Sequence, residues 1–216
     1  MQKRTLTLAV CTLVLSWGYA IPEMVVLMPT ANLNSPRAVY LSKEQYGAPN
    51  GYYHTATHCL YTQFALTERF DFGVDFIGLD SDQPSQTIGN ARFVLLPESK
   101  RLPGVAVGVM NLTAGSSPVY YAVGTRTVSF GAVHLGAFRQ GNGISWGAGV
   151  QTTLPIGLDV ALEYFHAPDG SAYTSVGAGW QVSDALSIST YYSRHSRSRD
   201  GDVFGVSLSF APLRLF

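Results

Sequence analysis

The stretch Arg69-Phe-Asp-Phe-Gly-Val-Asp-Phe-Ile-Gly-Leu-Asp80 carries the reading of the fold. Phe70, Phe72, Val74 and Phe76 are bulky and apolar, and Asp71, Gly73 and Asp75 between them are small or charged. Alternation with a period of two gives a strand one apolar and one polar face, whereas a helix would scatter the same phenylalanines around its circumference.

The same pattern recurs on both sides of this stretch. Upstream, Tyr53 to Leu66 reads as a strand joined to Arg69–Leu79 through the turn Thr67-Glu68. Downstream, the polar loop Ser81–Ser85 leads into Thr87–Leu96, which Pro97–Lys100 ends. Pro103–Leu112 then places Val105, Val107 and Val109 on one face and Ala106 and Gly108 on the other. Val119–Thr127 and Val128–Phe138, and Ile144–Thr153 and Leu158–Phe165, read as hairpins. Ala172–Val182, Leu186–Tyr192 and Val203–Phe210 complete the array, with Gly, Pro, Asn and Asp in the connections. Ala38–Leu41 is a further short strand. The count is eleven or twelve, and the even strand number normal in bacterial single-chain barrels favours ten or twelve.

Composition narrows the class. Charged residues make up 13% of the 216-residue chain, against about 25% in ordinary soluble domains, while Gly (22), Tyr (12) and Phe (11) are frequent. Such a surface suits lipid better than water. Acidic and basic residues balance at 14 each, so there is no basic face to neutralise a nucleic acid backbone.

The amino terminus has the form of a secretory signal peptide: basic Gln2-Lys3-Arg4, the apolar run Leu6–Leu15, and small residues at Gly18-Tyr19-Ala20. Cleavage is expected after Ala20, because the run is too short to span a bilayer. Cys59 is then the only cysteine of the exported chain, which rules out an intramolecular disulfide. Residues 21–50 differ in texture and read as a lead-in segment or plug ahead of a barrel spanning 51–216.

The choice between a membrane barrel and a soluble sandwich rests on the non-apolar face. A soluble sheet decorates it with Lys, Glu and Thr. Here it is mostly Gly, Ala and Ser with isolated charges, which suits the narrow interior of a closed barrel whose apolar face meets lipid. The expected fold is therefore all-β, a closed antiparallel transmembrane β-barrel of about ten to twelve strands in the bacterial outer membrane. Phe216 supplies the terminal aromatic frequent in such barrels, and Tyr and Trp residues near strand ends fit interfacial girdles.

Three runs carry a resemblance: Ala65–Asp75, with its Leu-Thr-Glu-Arg turn; Asn90–Glu98, ending in Leu-Leu-Pro-Glu; and the glycine-valine strand Pro103–Val109. Together with Pro29-Thr-Ala31 they resemble the YjbH-like and related outer-membrane barrels. The resemblance covers most of 29–210. It implies barrel architecture and either a link to exopolysaccharide export or no assigned role, and it brings no catalytic residues.

The candidate site is the lumen. Asp71, Asp75, Arg92, Asp159 and Glu163 fall on the inward face in this register. They read either as a charged lining that sets pore selectivity or as an interior ion-pair network filling a barrel too narrow to conduct. Arg194, Arg197 and Arg199, with His195, form a basic loop within Ser193–Asp202; it reads as a site for anionic lipid or polysaccharide groups, or as a solvated loop. His54 and His58 share a strand face but lie about 13 Å apart, too far for one metal ion. A barrel enzyme acting on envelope lipids would draw a base from His134, His166 or His195 and a nucleophile from Ser145, Ser171 or Ser193. No Gly-x-Ser-x-Gly elbow is present.

The expected function is structural, porin-like or related to envelope and exopolysaccharide export. The alternatives are a lipid-modifying barrel enzyme and a soluble carbohydrate-binding sandwich. The expected partners are outer-membrane lipid, the barrel-assembly machinery, and polysaccharide or small solutes, with no nucleic acid and no cofactor.

Overall fold

The computed structural model describes residues 25–33, 35–50, 52, 56–79, 85–112 and 117–214. The signal peptide, His54 and Phe216 lie outside these residues. Twelve strands follow in order: β1 (Ala38–Gly47), β2 (Thr57–Ala65), β3 (Phe70–Ile77), β4 (Gln86–Leu96), β5 (Gly104–Met110), β6 (Val119–Val128), β7 (Gly131–Gln140), β8 (Gly143–Thr153), β9 (Leu158–His166), β10 (Ala172–Ser183), β11 (Leu186–His195) and β12 (Val203–Arg214). Each pairs antiparallel with its successor, and β1 pairs with β12 over the register Ala38↔Arg214 to Gly47↔Phe204, so the sheet closes. Closure leaves no edge strand with backbone groups unpaired in hydrocarbon. One closed sheet also sets aside the two-sheet soluble sandwich.

The deciding stretch forms β3 as its alternation requires. Asp71 and Gly73 are buried on the inner face, and the intervening apolar side chains point to the outside, where Phe72 stacks on Phe64 of β2 at 4.9 Å. The outer surface carries exposed Phe93, Leu135, Ile144, Leu162, Val176 and Leu208 from β4 to β12, an apolar band of the kind that lipid covers. Exposed Tyr120, Trp146, Tyr164 and Tyr192 stand toward one rim, and exposed Phe93, Phe130, Trp180 and Phe210 toward the other. Two aromatic belts at the bilayer interfaces have this arrangement.

The two rims differ. The connections 66–69, 97–103, 129–130, 154–157 and 184–185 share the rim where β1 begins and β12 ends. The opposite rim carries 48–56, 78–85, 111–118, 141–142, 167–171 and 196–202, which include the longer loops. Short periplasmic turns and longer external loops are the usual asymmetry of outer-membrane barrels. Of the loops singled out from sequence, the one within 193–202 lies on the long-loop rim, and residues 81–84 lie outside the described residues. In the tight β7–β8 turn, Gly141 takes φ 56°, a left-handed conformation open to glycine at little cost.

Two expected boundaries are corrected. The barrel begins at Ala38, within the expected lead-in, and not at residue 51. In β1 the outward positions include Lys43 and Gln45 while the inward ones include Tyr40 and Tyr46, so polarity does not alternate and only Ala38–Leu41 looked like a strand. At the other end of the chain, β11 runs to His195, so Arg194 belongs to a strand and the basic loop shortens to 196–202.

Candidate functional site in the barrel lumen

Residues 25–31 lie inside the barrel, and Asn32 and Leu33 are exposed. The chain folds back at Val25–Met28, where the Val25 N–H donates to the Met28 carbonyl at 2.8 Å. This turn presents three successive amides to one carboxylate: Val26, Leu27 and Met28 donate to Glu163 at 3.0–3.1 Å. Glu163, on β9, is 1% exposed. A buried carboxylate needs this degree of hydrogen bonding to offset its desolvation. Farther along, the Ala31 N–H donates to Thr125 Oγ1 at 2.8 Å, and that hydroxyl lies 3.0 Å from His134 Nδ1. Arg92 Nη1 donates to the Thr30 carbonyl at 3.0 Å.

Inward glycines make room for this segment. A Cβ on Gly136 would stand 2.8 Å from the Met28 sulfur, one on Gly149 2.9 Å from a Val25 methyl, and one on Gly147 3.1 Å from the same sulfur. Gly177 faces Val26 and Gly104 faces the Ala31 carbonyl in the same way. Met28 is fully buried in a cluster with Ala31, Val94, Ala106, Tyr121, Val123 and Phe138. Burying one such side chain contributes about 1.5–3 kcal/mol. The segment is thus seated by shape, by apolar packing and by backbone hydrogen bonds at once.

The five side chains read from sequence as a lining fall into two different situations. Asp71, Arg92 and Glu163 are buried. Arg92 Nε and Nη2 both donate to Asp71 Oδ2, at 2.9 and 2.8 Å, while Gln63 donates to Asp71 Oδ1. The guanidinium therefore ties the β3–β4 wall to the inserted segment. Asp75 and Asp159 line open space; Asn90 donates to the first and the Thr153 hydroxyl to the second.

That open space is a cavity of about 550 Å3 beside the segment. Its lining includes residues toward both ends of several strands: Tyr40 and Tyr46 on β1, Asp71 and Ile77 on β3, Ser187 and Ser193 on β11, Val203 and Ser209 on β12. The cavity therefore runs along the barrel axis. Glu44 sits in its wall, with Oε1 accepting from the Tyr191 hydroxyl at 2.8 Å. A Cβ on Gly205 would lie 2.3 Å from the Tyr191 ring, so that glycine sets where the tyrosine rests. Across the β1–β12 seam the Ser42 hydroxyl lies 2.7 Å from that of Ser207 and 2.9 Å from that of Ser209. Sequence reading missed Glu44, Tyr46, Tyr61 and Tyr191, although their period-two spacing within β1, β2 and β11 would have placed them inward once the strand bounds were known.

The basic cluster is dispersed by the fold. Arg194 is exposed on β11; Arg197 bonds the Asp169 carboxylate at 3.2 Å and also its carbonyl; Arg199 opens a short 3-10 turn, Arg199–Gly201. Hydrogen bonds from Ser171, its hydroxyl first and its amide next, hold the Asp169 carboxyl below the ordinary carboxylate range, and Arg197 adds to this. Asp202 is held low in the same way by the Tyr192 hydroxyl at 2.6 Å and the His195 amide at 2.8 Å.

The serines and histidines named as catalytic candidates are not brought together as pairs. His134 meets Thr125, Ser171 meets Asp169, Ser193 meets Ser175 at 2.8 Å, and His166 stacks on Trp146. Cys59 is a free thiol buried on the inner face of β2, across from Glu44 of β1.

The closed strand order, apolar outer band, aromatic belts and axial cavity define a closed twelve-stranded β-barrel of the bacterial outer membrane. Solved structures share this fold. The KdgM porin superposes with a TM-score of 0.65 at 11% identity, covering 80% of this chain and 98% of that one. The KdgM porin in complex with disordered oligogalacturonate gives 0.61 at 11%, covering 81% and 98%. The COG4313 outer membrane channel from Pseudomonas putida F1 gives 0.50 at 12%, covering 85% and 98%. No family model matches the chain, and no curated protein matches it in sequence. The resemblance to YjbH-like barrels holds at the level of an outer-membrane β-barrel.

Proposed function

We propose that the protein is an outer-membrane channel for small polar solutes of saccharide size, with its bore set by the inserted segment 25–31. The observation that carries this reading is the cavity of about 550 Å3 whose lining reaches toward both ends of β1, β3, β11 and β12 and includes carboxylates and hydroxyls. A structural barrel has no need of such a cavity; it could fill its lumen as β5–β9 fill theirs. Similarity to the KdgM porin and to the COG4313 channel supports the same reading. One KdgM structure holds oligogalacturonate, and on that ground saccharides are the solute class proposed here. Asp75 and Asp159 act in this reading as wall charges, and Arg92, Asp71 and Glu163 as the fittings that hold the segment.

The test is reconstitution of the full exported chain in a planar bilayer. Discrete, stable conductance steps from a heat-modifiable preparation are expected. A folded barrel that never conducts, with or without residues 25–33, would refute the channel.

A further inference from the structure

The charges that face the cavity are unequal in kind. Among the described residues, Glu44, Asp71, Asp75 and Asp159 line it with one guanidinium, Arg92. That guanidinium is not available to a passing anion, because two of its nitrogens are held by Asp71 and the third by the Thr30 carbonyl. Asp71 and Arg92 cancel, which leaves Glu44, Asp75 and Asp159 as the net charge of the wall. Glu44 and Asp75 stand on β1 and β3, Asp159 on β9, so the cavity meets carboxylates from separate arcs of the barrel. Between them the wall offers tyrosines, among them Tyr46, Tyr61 and Tyr191, whose ring faces attract cations and stack on sugar rings.

We infer that this lumen selects by charge, passing cationic and uncharged polyhydroxyl solutes and excluding uronates and other anions. The inference rests on the channel reading and adds the solute class. Low-dielectric walls concentrate the field of their charges within a bore. Screening acts over about 8 Å at physiological salt, so a carboxylate on one wall of a space this size is felt across most of it. Rings of acidic side chains select cations in other pores by the same physics.

The experiment is the reversal potential of the reconstituted full chain in a KCl gradient, followed by liposome swelling in glucose, glucosamine and galacturonate. The unaltered protein is expected to pass potassium several-fold better than chloride, and to admit glucose and glucosamine but not galacturonate. In the triple variant Glu44→Gln, Asp75→Asn, Asp159→Asn the ion ratio is expected to fall toward one. Asp184→Asn, in the β10–β11 turn, should leave it unchanged. Heat-modifiable gel mobility identifies variants that fold, and the single substitutions replace the triple variant should it not fold. Chloride preference, or a potassium preference that survives neutralisation of the wall, overturns the inference while the channel stands. Silence of the protein both with and without residues 25–33 removes the channel reading and the inference with it.

Discussion

The two sides of the inner wall do opposite things with the same strand chemistry. Around Met28 the inward positions of β4 to β8 carry Gly136, Gly147 and Gly149 with Val94, Ala106, Val123 and Phe138, and the space they leave is filled by Met28 and its neighbours. From β10 through β12 and on into β3 they carry serine, tyrosine and carboxylate, and the space stays hollow. Both sides alternate with period two and both show lipid an apolar outer face. What differs is whether the inward side chains can exclude water. Glycine and aliphatic groups gain by packing against another apolar surface; hydroxyls and carboxylates keep their solvation and hold a passage open.

The comparison can be broken most directly by deleting residues 25–33. The filled side should become hollow, and single-channel conductance should rise several-fold. An unchanged conductance would mean that the segment does not occupy the lumen in the bilayer. Next in size is Arg92→Met, which leaves Asp71 buried without its cation. The cost expected from breaking a buried pair is about 3–5 kcal/mol, to be read from urea unfolding of the barrel in detergent micelles. A loss below 1 kcal/mol would show that the guanidinium contributes little to holding the β3–β4 wall.

Smaller effects sharpen the boundary between the two sides. Glu163→Gln keeps the shape but turns charged acceptors for three amides into a mixed amide group. A loss of about 1.5–3 kcal/mol is expected for hydrogen bonds to a charged group, together with noisier open-channel current as the segment loosens. Gly136→Ala with Gly149→Ala should push against Met28 and Val25 and cost about 1–3 kcal/mol by overpacking. The same substitution at Gly179, on the hollow side, should have little effect, and equal losses at all three positions would erase the distinction.

The smallest effect concerns the long-loop rim. The folded carboxyl of Asp202 is held below its ordinary value of 3.8 by Tyr192 and His195. The stability this adds is therefore full above that value and is lost as the pH falls through the lowered one. Protection of the His195 amide hydrogen, measured against its intrinsic exchange rate at each pH, should fall over that acidic window in the native protein. In Asp202→Asn it should be low throughout, and identical profiles for the two proteins would remove Asp202 as the cause.

The class of fold was legible in residues 69–80 and their repeats, because a period of two in polarity is a local property that survives any change in neighbouring strands. The inward placement of Asp71, Asp75, Arg92, Asp159 and Glu163 followed from the same period. The start of the barrel at Ala38 did not, since Lys43 and Gln45 face outward and Tyr40 and Tyr46 inward, against the polarity pattern of the deciding stretch. The basic cluster was equally opaque: Arg197 turned to Asp169 of a different loop, 28 positions away in sequence.

By itself, then, the sequence determined that the chain is a membrane barrel and, where polarity alternates regularly as in residues 69–80, which face of a strand points inward. Only the tertiary structure decided which inward residues meet one another. Glu163 finds amides 135–137 positions away, and Glu44 finds Tyr191 at a separation of 147. Such partners are set by the closure of β1 on β12 and by the return of residues 25–31 into the lumen. The physical reason is that local polarity fixes a face, whereas a contact depends on where the chain comes back, and no short window of residues records that.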